Sequence, residues 1–150
     1  MVETSENYIK LILDNEVLKK YNTYYFLEHP KAKKTPIEHP YHPSINTWCI
    51  LPRIQMNALK QKWKDFVCFW MKLEKLENKQ LENFDMTITV YFNTKRRHDV
   101  DNQVPKFILD GFSESGFIVD DDEKHLHSLT LKTGYDKENP RTEIEIFIKG

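Results

Sequence analysis

Residues 84–123 read FDMTITVYFNTKRRHDVDNQVPKFILDGFSESGFIVDDDE, and the order of elements in this stretch decides the fold. Phe84, Met86, Ile88, Val90 and Phe92 alternate with Thr87, Thr89 and Tyr91. That period of two, in strand-favouring side chains, predicts a half-buried β-strand. Asn102 can cap a helix over residues 102–115, Pro105 suits its first turn, and Gly116 stands where a left-handed residue ends it. Residues 117–119 then predict a short strand. Such a strand–helix–strand path can return the chain beside the place it left.

Outward from this unit the patterns continue. Residues 126–133 alternate, and residues 142–149 carry Ile144, Ile146 and Ile148 on one face of a last strand, with a turn between the two. Upstream, Met56, Leu59, Trp63, Phe66, Val67, Trp70, Leu73 and Leu76 recur at spacings of three and four, predicting a long amphipathic helix over 55–78 behind Pro52. The Trp63/Trp70 stripe belongs to its apolar face, as core or dimer interface. Residues 28–44 hold four prolines and predict a loop. Tyr8–Leu13 (YIKLIL) predicts a strand, and the tyrosine-rich residues 21–27 a second one. Residues 1–7 are polar and are expected to fray. The order implies a single α+β domain, a mixed β-sheet packed against two main helices.

Composition excludes several classes. A chain of 150 residues fits one domain, and 39% hydrophobic with 13% aromatic residues is too apolar for a disordered chain. No apolar run approaches about 18 residues, so no membrane span is expected. MVETSENYIK lacks the basic and apolar regions of a signal peptide, which makes the cytoplasm the expected location. Cys49 and Cys68 are too few for a disulfide framework or a cysteine-built zinc site. A net charge of −1 argues against binding nucleic acid by bulk positive charge, but not against an enzyme that segregates carboxylates from cations.

Carboxylates and cations do segregate between residues 95 and 123. Asp99 and Asp101 form a D-x-D after the strand; if the extended conformation continues, both side chains project to one side about 7 Å apart. Paired carboxylates repel unless a cation lies between them, and hard divalent ions take such oxygen ligands. Asp120, Asp121 and Asp122 follow the helix and are expected to meet the first pair at one sheet edge. The bland alternative is that these residues are caps and turn formers, since acidic residues at strand ends are common. Other motif readings fail. An EF-hand loop from Asp99 needs Gly at its sixth position and finds Val104. His98-Asp99 metal pairs belong to all-helical domains, and nucleotide-binding domains with D-x-D are usually larger than this chain. His125 and His127 are read as surface groups rather than magnesium ligands. His29, His39 and His42 each precede proline and show no zinc spacing.

Arg96-Arg97-His98-Asp99-Val100-Asp101-Asn102, then Lys106 and Asp110 on a helix, then GFIVDDDE, resemble the RusA-type Holliday junction resolvases. Pro43-Ser44-Ile45-Asn46 is similar to a Pro-Ser-x-Asn that the family carries near the end of its first strand. The resemblance covers roughly residues 40–149 and is sharpest over 96–123. It implies a homodimeric, Mg²⁺-dependent endonuclease of branched DNA, with Mn²⁺ as a substitute ion, serving recombination and repair in a bacterium or prophage. By position, Asp99, Asp101 and Asp121 match the catalytic carboxylates, Asp120 joins them at the metal, and Lys106 matches the catalytic lysine. Lys95, Arg96 and Arg97 are expected to contact phosphates, with the lysines of the proline loop as weaker candidates, and Asn46 to contact DNA or the partner subunit. One departure stands out: four residues separate Asp101 from Lys106, where the family usually has three. The extra residue is expected to be absorbed before a slightly later helix start. Two rivals remain: a junction-binding protein with little cleavage, and a nuclease for flaps or forks.

Overall fold

The computed structural model describes residues 2–150. Five strands form one sheet in the order β1-β2-β5-β3-β4. They are β1 (Val2–Ser5), β2 (Tyr8–Leu13), β3 (Phe84–Phe92), β4 (Leu126–Tyr135) and β5 (Arg141–Ile148). The helices are α1 (Asn15–Glu28), the short α2 (Ile45–Trp48), α3 (Arg53–Leu73) and α4 (Lys106–Glu114). The domain is α+β with a mixed sheet: β3 and β4 are parallel, and the other neighbours are antiparallel. A parallel pair needs a crossover, and α4 lies in the one that joins β3 to β4.

Alternation sets the core. Ile9, Ile146 and Met86 pair across β2, β5 and β3, as do Leu11, Ile144 and Ile88. These six are at most 1% exposed and join one cluster with Trp63, Phe66, Val67, Trp70 and Met71 of α3 and Phe107, Ile108 and Phe112 of α4. Removing a large member of such a cluster costs roughly 3–5 kcal/mol. Gly111 lets α3 and α4 approach: a Cβ there would stand 2.5 Å from Val67 Cβ.

Five expectations are corrected. Residues 21–27 are helical, within α1. Asp14 caps α1 by accepting from the Val17 N–H at 3.1 Å, and Val17, Leu18 and Tyr21 bury one helical face. Tyrosine's strand preference misled there, because tertiary burial outweighs propensity. Residues 2–5 do not fray but pair with β2 as an edge strand, where a polar, exposed sequence guards against further pairing. Residues 102–115 are not one helix. A 3₁₀ turn covers Val100–Gln103, Val104 is extended, and α4 begins at Lys106, because proline disfavours helical backbone in the residue before it. Residues 117–119 make only a parallel bridge between Leu81 and Ile118. The long helix also stops at Leu73, five residues early; Lys75 adopts φ 60° just beyond, and the Leu76 N–H returns to the Met71 carbonyl. Gly116 does take the left-handed conformation, at φ 78°.

Candidate active site

Three segments supply the site: the loop after β3, the first turns of α4, and the loop after α4. The extended conformation of β3 ends at Phe92, well before the D-x-D. Asp99 is extended and Asp101 lies in the 3₁₀ turn, so strand alternation does not place the two carboxylates side by side as expected. Arg97 Nε donates to Asp99 Oδ1 at 3.1 Å. The His98 ring stacks flat on Phe92 at the end of β3, with centroids 3.6 Å apart, and burial lowers its pKa. Asn46, Ser44, Arg97, His98, Asp99, Asn102 and Gln103 line one open hollow of about 450 Å³. Two expected DNA contacts, Asn46 and Arg97, therefore share a wall with Asp99. Lys95 instead sits 5.2 Å over the Tyr135 ring at the end of β4. The Pro43–Asn46 segment does not follow the first strand; α1 and the proline-rich loop come between them, and Ser44 opens α2.

A second group gathers at the start of α4. Lys106 Nζ donates to Asp110 Oδ1 at 3.1 Å, one helical turn on. That hydrogen bond raises the Lys106 pKa, and the charges of Asp110, Asp121 and Asp120 add to it. The loop after α4 thus returns Asp120 and Asp121 to the helix that precedes it. The Asp121 N–H donates to Asp120 Oδ1 at 2.8 Å. Burial first, and its hydrogen bond with Asp120 second, push the Asp121 carboxyl above the usual carboxylate range, while Lys106 pulls it back. Asp122 turns away to His125 Nδ1 at 2.5 Å, which lowers its pKa. His127 bonds Asn83.

Among the described residues, no three His, Cys, Asp or Glu side chains stand close enough together to hold one metal ion. The donor chemistry nevertheless suits a hard cation. Burial, and then the hydrogen bond with Asp120, raise the Asp121 pKa, and a divalent ion held by these oxygens would favour the charged carboxylate. Asp99 and Asp101 offer a second carboxylate pair with no nitrogen or sulfur donor required.

Two residues escaped the sequence reading. Lys60 of α3 stands 3.7 Å from Asp110 Oδ2, but in the sequence it is one of several lysines on a helix face. His42 is 3% exposed, and its Nε2 accepts from the Phe107 N–H of α4 at 3.0 Å. A histidine before proline carries no signal for that contact, which spans 65 positions.

An α+β domain with aspartates at both ends of a strand–helix–strand unit, a lysine between them and arginines beside them has the elements of a phosphodiester-cleaving enzyme. The family model for endodeoxyribonuclease RusA matches residues 6–147. The chain belongs to that family of Holliday junction resolving endodeoxyribonucleases. No curated protein matches it in sequence. No helix among the described residues is long and apolar enough to cross a membrane.

Proposed function

We propose that the protein is a Mg²⁺-dependent endonuclease that resolves four-way DNA junctions as a homodimer, by paired nicks in two strands. The observation that carries this reading is Lys106 at the start of α4, bonded to Asp110 at 3.1 Å and within the field of Asp121 and Asp120. A lysine at a helix N-terminus is electrostatically unfavourable, because that end is already positive, so its acidic surroundings offset the cost. In the family such a lysine serves phosphate chemistry.

Asp99, Asp101, Asp120 and Asp121 are the residues that would hold Mg²⁺, with Mn²⁺ as a substitute. The ion's chemistry is to lower the pKa of water and to withdraw charge from the phosphate. Lys106, positively charged at neutral pH, offsets the extra negative charge that develops on the scissile phosphate. Asp110 holds the ammonium in place until the phosphate competes for it. Arg96, Arg97 and Asn46 fix the strand in the hollow beside Asp99 by backbone contacts that read no sequence. A two-fold dimer suits a junction of two-fold symmetry, and the two active sites give the two nicks. Such work on recombining DNA places the protein in the cytoplasm.

The ion pair that occupies Lys106 favours one alternative, a junction reader that cleaves poorly. A labelled four-way junction incubated with Mg²⁺ or with EDTA decides between them. Symmetric paired nicks with Mg²⁺ and none with EDTA support the resolvase. Binding without nicks identifies the reader, and preferred cutting of flaps or forks identifies a nuclease for other branched DNA.

A further inference from the structure

Helix α4 begins without a cap of its own. Pro105 precedes it, has no N–H and makes no side-chain capping bond. The Leu109 N–H is satisfied by the Pro105 carbonyl, which leaves the earlier N–H groups of the first turn to find partners elsewhere. One partner comes from the proline-rich loop: the Phe107 N–H donates to His42 Nε2 at 3.0 Å. The acceptor role requires a bare Nε2, and the other nitrogen secures it. Nδ1–H donates to the Pro43 carbonyl at 2.7 Å, which fixes the proton on Nδ1. The ring lies against Trp63 at 5.6 Å and Phe107 at 4.9 Å between centroids. The loop that carries it is itself tied to the sheet, since Thr142 Oγ1 donates to the Pro40 carbonyl at 2.7 Å.

Lys106 is the residue before Phe107, and Ser44 and Asn46, two and four positions after His42, line the hollow beside Asp99. His42 is therefore the joint between the two groups of the site. We propose that His42 is a positioning residue: by capping α4 at Phe107 from the loop that leads to Asn46, it sets where Lys106 stands relative to the Asp99 hollow. The inference rests on the reading of Lys106 as the phosphate-facing cation. A buried imidazole is a costly way to satisfy one amide unless its placement matters. It must be desolvated, kept neutral and held in one tautomer, whereas a serine or aspartate in the preceding loop would cap the helix alone.

The test compares His42→Phe, which keeps a ring but removes the acceptor, with His42→Gln, whose Oε1 can reach the position of Nε2. Single-turnover cleavage of a four-way junction, junction affinity, amide exchange at Phe107 and the Lys106 Nζ titration by NMR are measured in each. In His42→Phe, turnover is expected to fall about ten-fold with affinity within about two-fold. The Phe107 amide exchanges faster and the Lys106 pKa moves back toward its ordinary value. His42→Gln recovers all of these. Should His42→Phe fail to fold, His42→Asn takes its place, because its oxygen reaches only the Nδ1 position; Gln then keeps turnover and Asn loses it. Unchanged turnover and an unchanged Lys106 titration in the acceptor-free variant overturn the proposal, as does equal loss of turnover in Gln and Asn. If the wild-type protein cuts no junction at all, the functional reading fails, while the amide exchange and the Lys106 titration still decide the role of His42.

Discussion

Lys106 Nζ donates to Asp110 Oδ1 across 3.1 Å, and the same carboxylate is reached from α3 by Lys60. Asp110 is 16% exposed, and its Oδ2 is buried with no hydrogen bond, only the Lys60 ammonium at 3.7 Å. An exposed i,i+4 pair contributes only tenths of a kcal/mol to a helix. Here Asp110 has a second role, because Lys60 ties the same carboxylate across to α3. Asp110 holds one lysine and is itself held by another.

Asp110→Asn keeps the shape and removes the charge. The Lys106 pKa is expected to fall back toward its usual range, since Asp110 is the leading cause of its rise. Cleavage should fall about ten-fold, while folding stability changes by less than about 1 kcal/mol. Lys60→Met should cost less activity, since Lys106 keeps its partner. Single-turnover rates and urea titrations measure both; an Asp110→Asn enzyme as fast as wild type would reduce the pair to a surface ion pair.

Asp101→Asn and Asp121→Asn should each abolish junction cleavage, by about 100-fold or more, and leave junction binding within a few-fold, because a carboxylate ligand is lost with little change of shape. Mg²⁺ should also raise the melting temperature of the wild-type protein, by mass action. That shift should shrink in Asp121→Asn. Retained cutting in either variant, or a thermal shift independent of both, would place the ion elsewhere. Lys106→Ala should lower turnover more than affinity.

The D-x-D and the Asp120–Asp122 run were legible because residue type and spacing carry their chemistry. The sheet was legible because Phe84–Phe92 and residues 142–149 alternate strictly. Other parts were not. The bend at Val104–Pro105 follows from a proline that fits either the inside of a first turn or a break before it, and residue type alone does not choose between the two. In α1 the buried set of Val17, Leu18 and Tyr21 has helical spacing, but tyrosines at 24 and 25 obscure it with strand-like composition. His42 and Lys60 act across 65 and 50 positions, distances over which no local pattern speaks. The D-x-D geometry departs from strand alternation because β3 stops at Phe92 and Asp101 lies in the 3₁₀ turn.

The buried His42 also gives stability a particular pH dependence. Burial lowers its pKa from 6.5 to about 4, against the smaller opposing effect of the Pro43 carbonyl. The unfolded chain then binds the extra proton between those values, so this contribution is complete above about pH 6.5 and is lost as pH falls toward 4, amounting to about 3 kcal/mol. Protonation would also remove the acceptor from Phe107 and bring a cation to the positive end of α4. Urea unfolding of wild type and His42→Phe at pH 7 and pH 4.5 isolates the effect, since the carboxylates titrate alike in both. The wild-type protein should lose more stability than the variant; equal losses would mean that the ring is charged in the fold.

Gly111→Ala probes the contact between α3 and α4. Alanine is the better helix former by about 1 kcal/mol in an exposed helix, so propensity alone favours the change. The new Cβ, however, would meet Val67 Cβ at 2.5 Å and Cγ1 at 2.7 Å, atoms near the backbone that cannot swing aside. The helices must separate, and overpacking of this kind costs about 1–3 kcal/mol, or several degrees in melting temperature. Gly111 adjoins Asp110, so separation also stretches the Lys60–Asp110 pair, and cleavage should fall along with stability. Val67→Ala removes the two γ-carbons but not Cβ, so Gly111→Ala should cost less in that background than in the wild type, though not nothing. A double-mutant cycle read by urea unfolding measures the coupling. Additivity, or a Gly111→Ala protein more stable than wild type, would show that the two helices do not touch there.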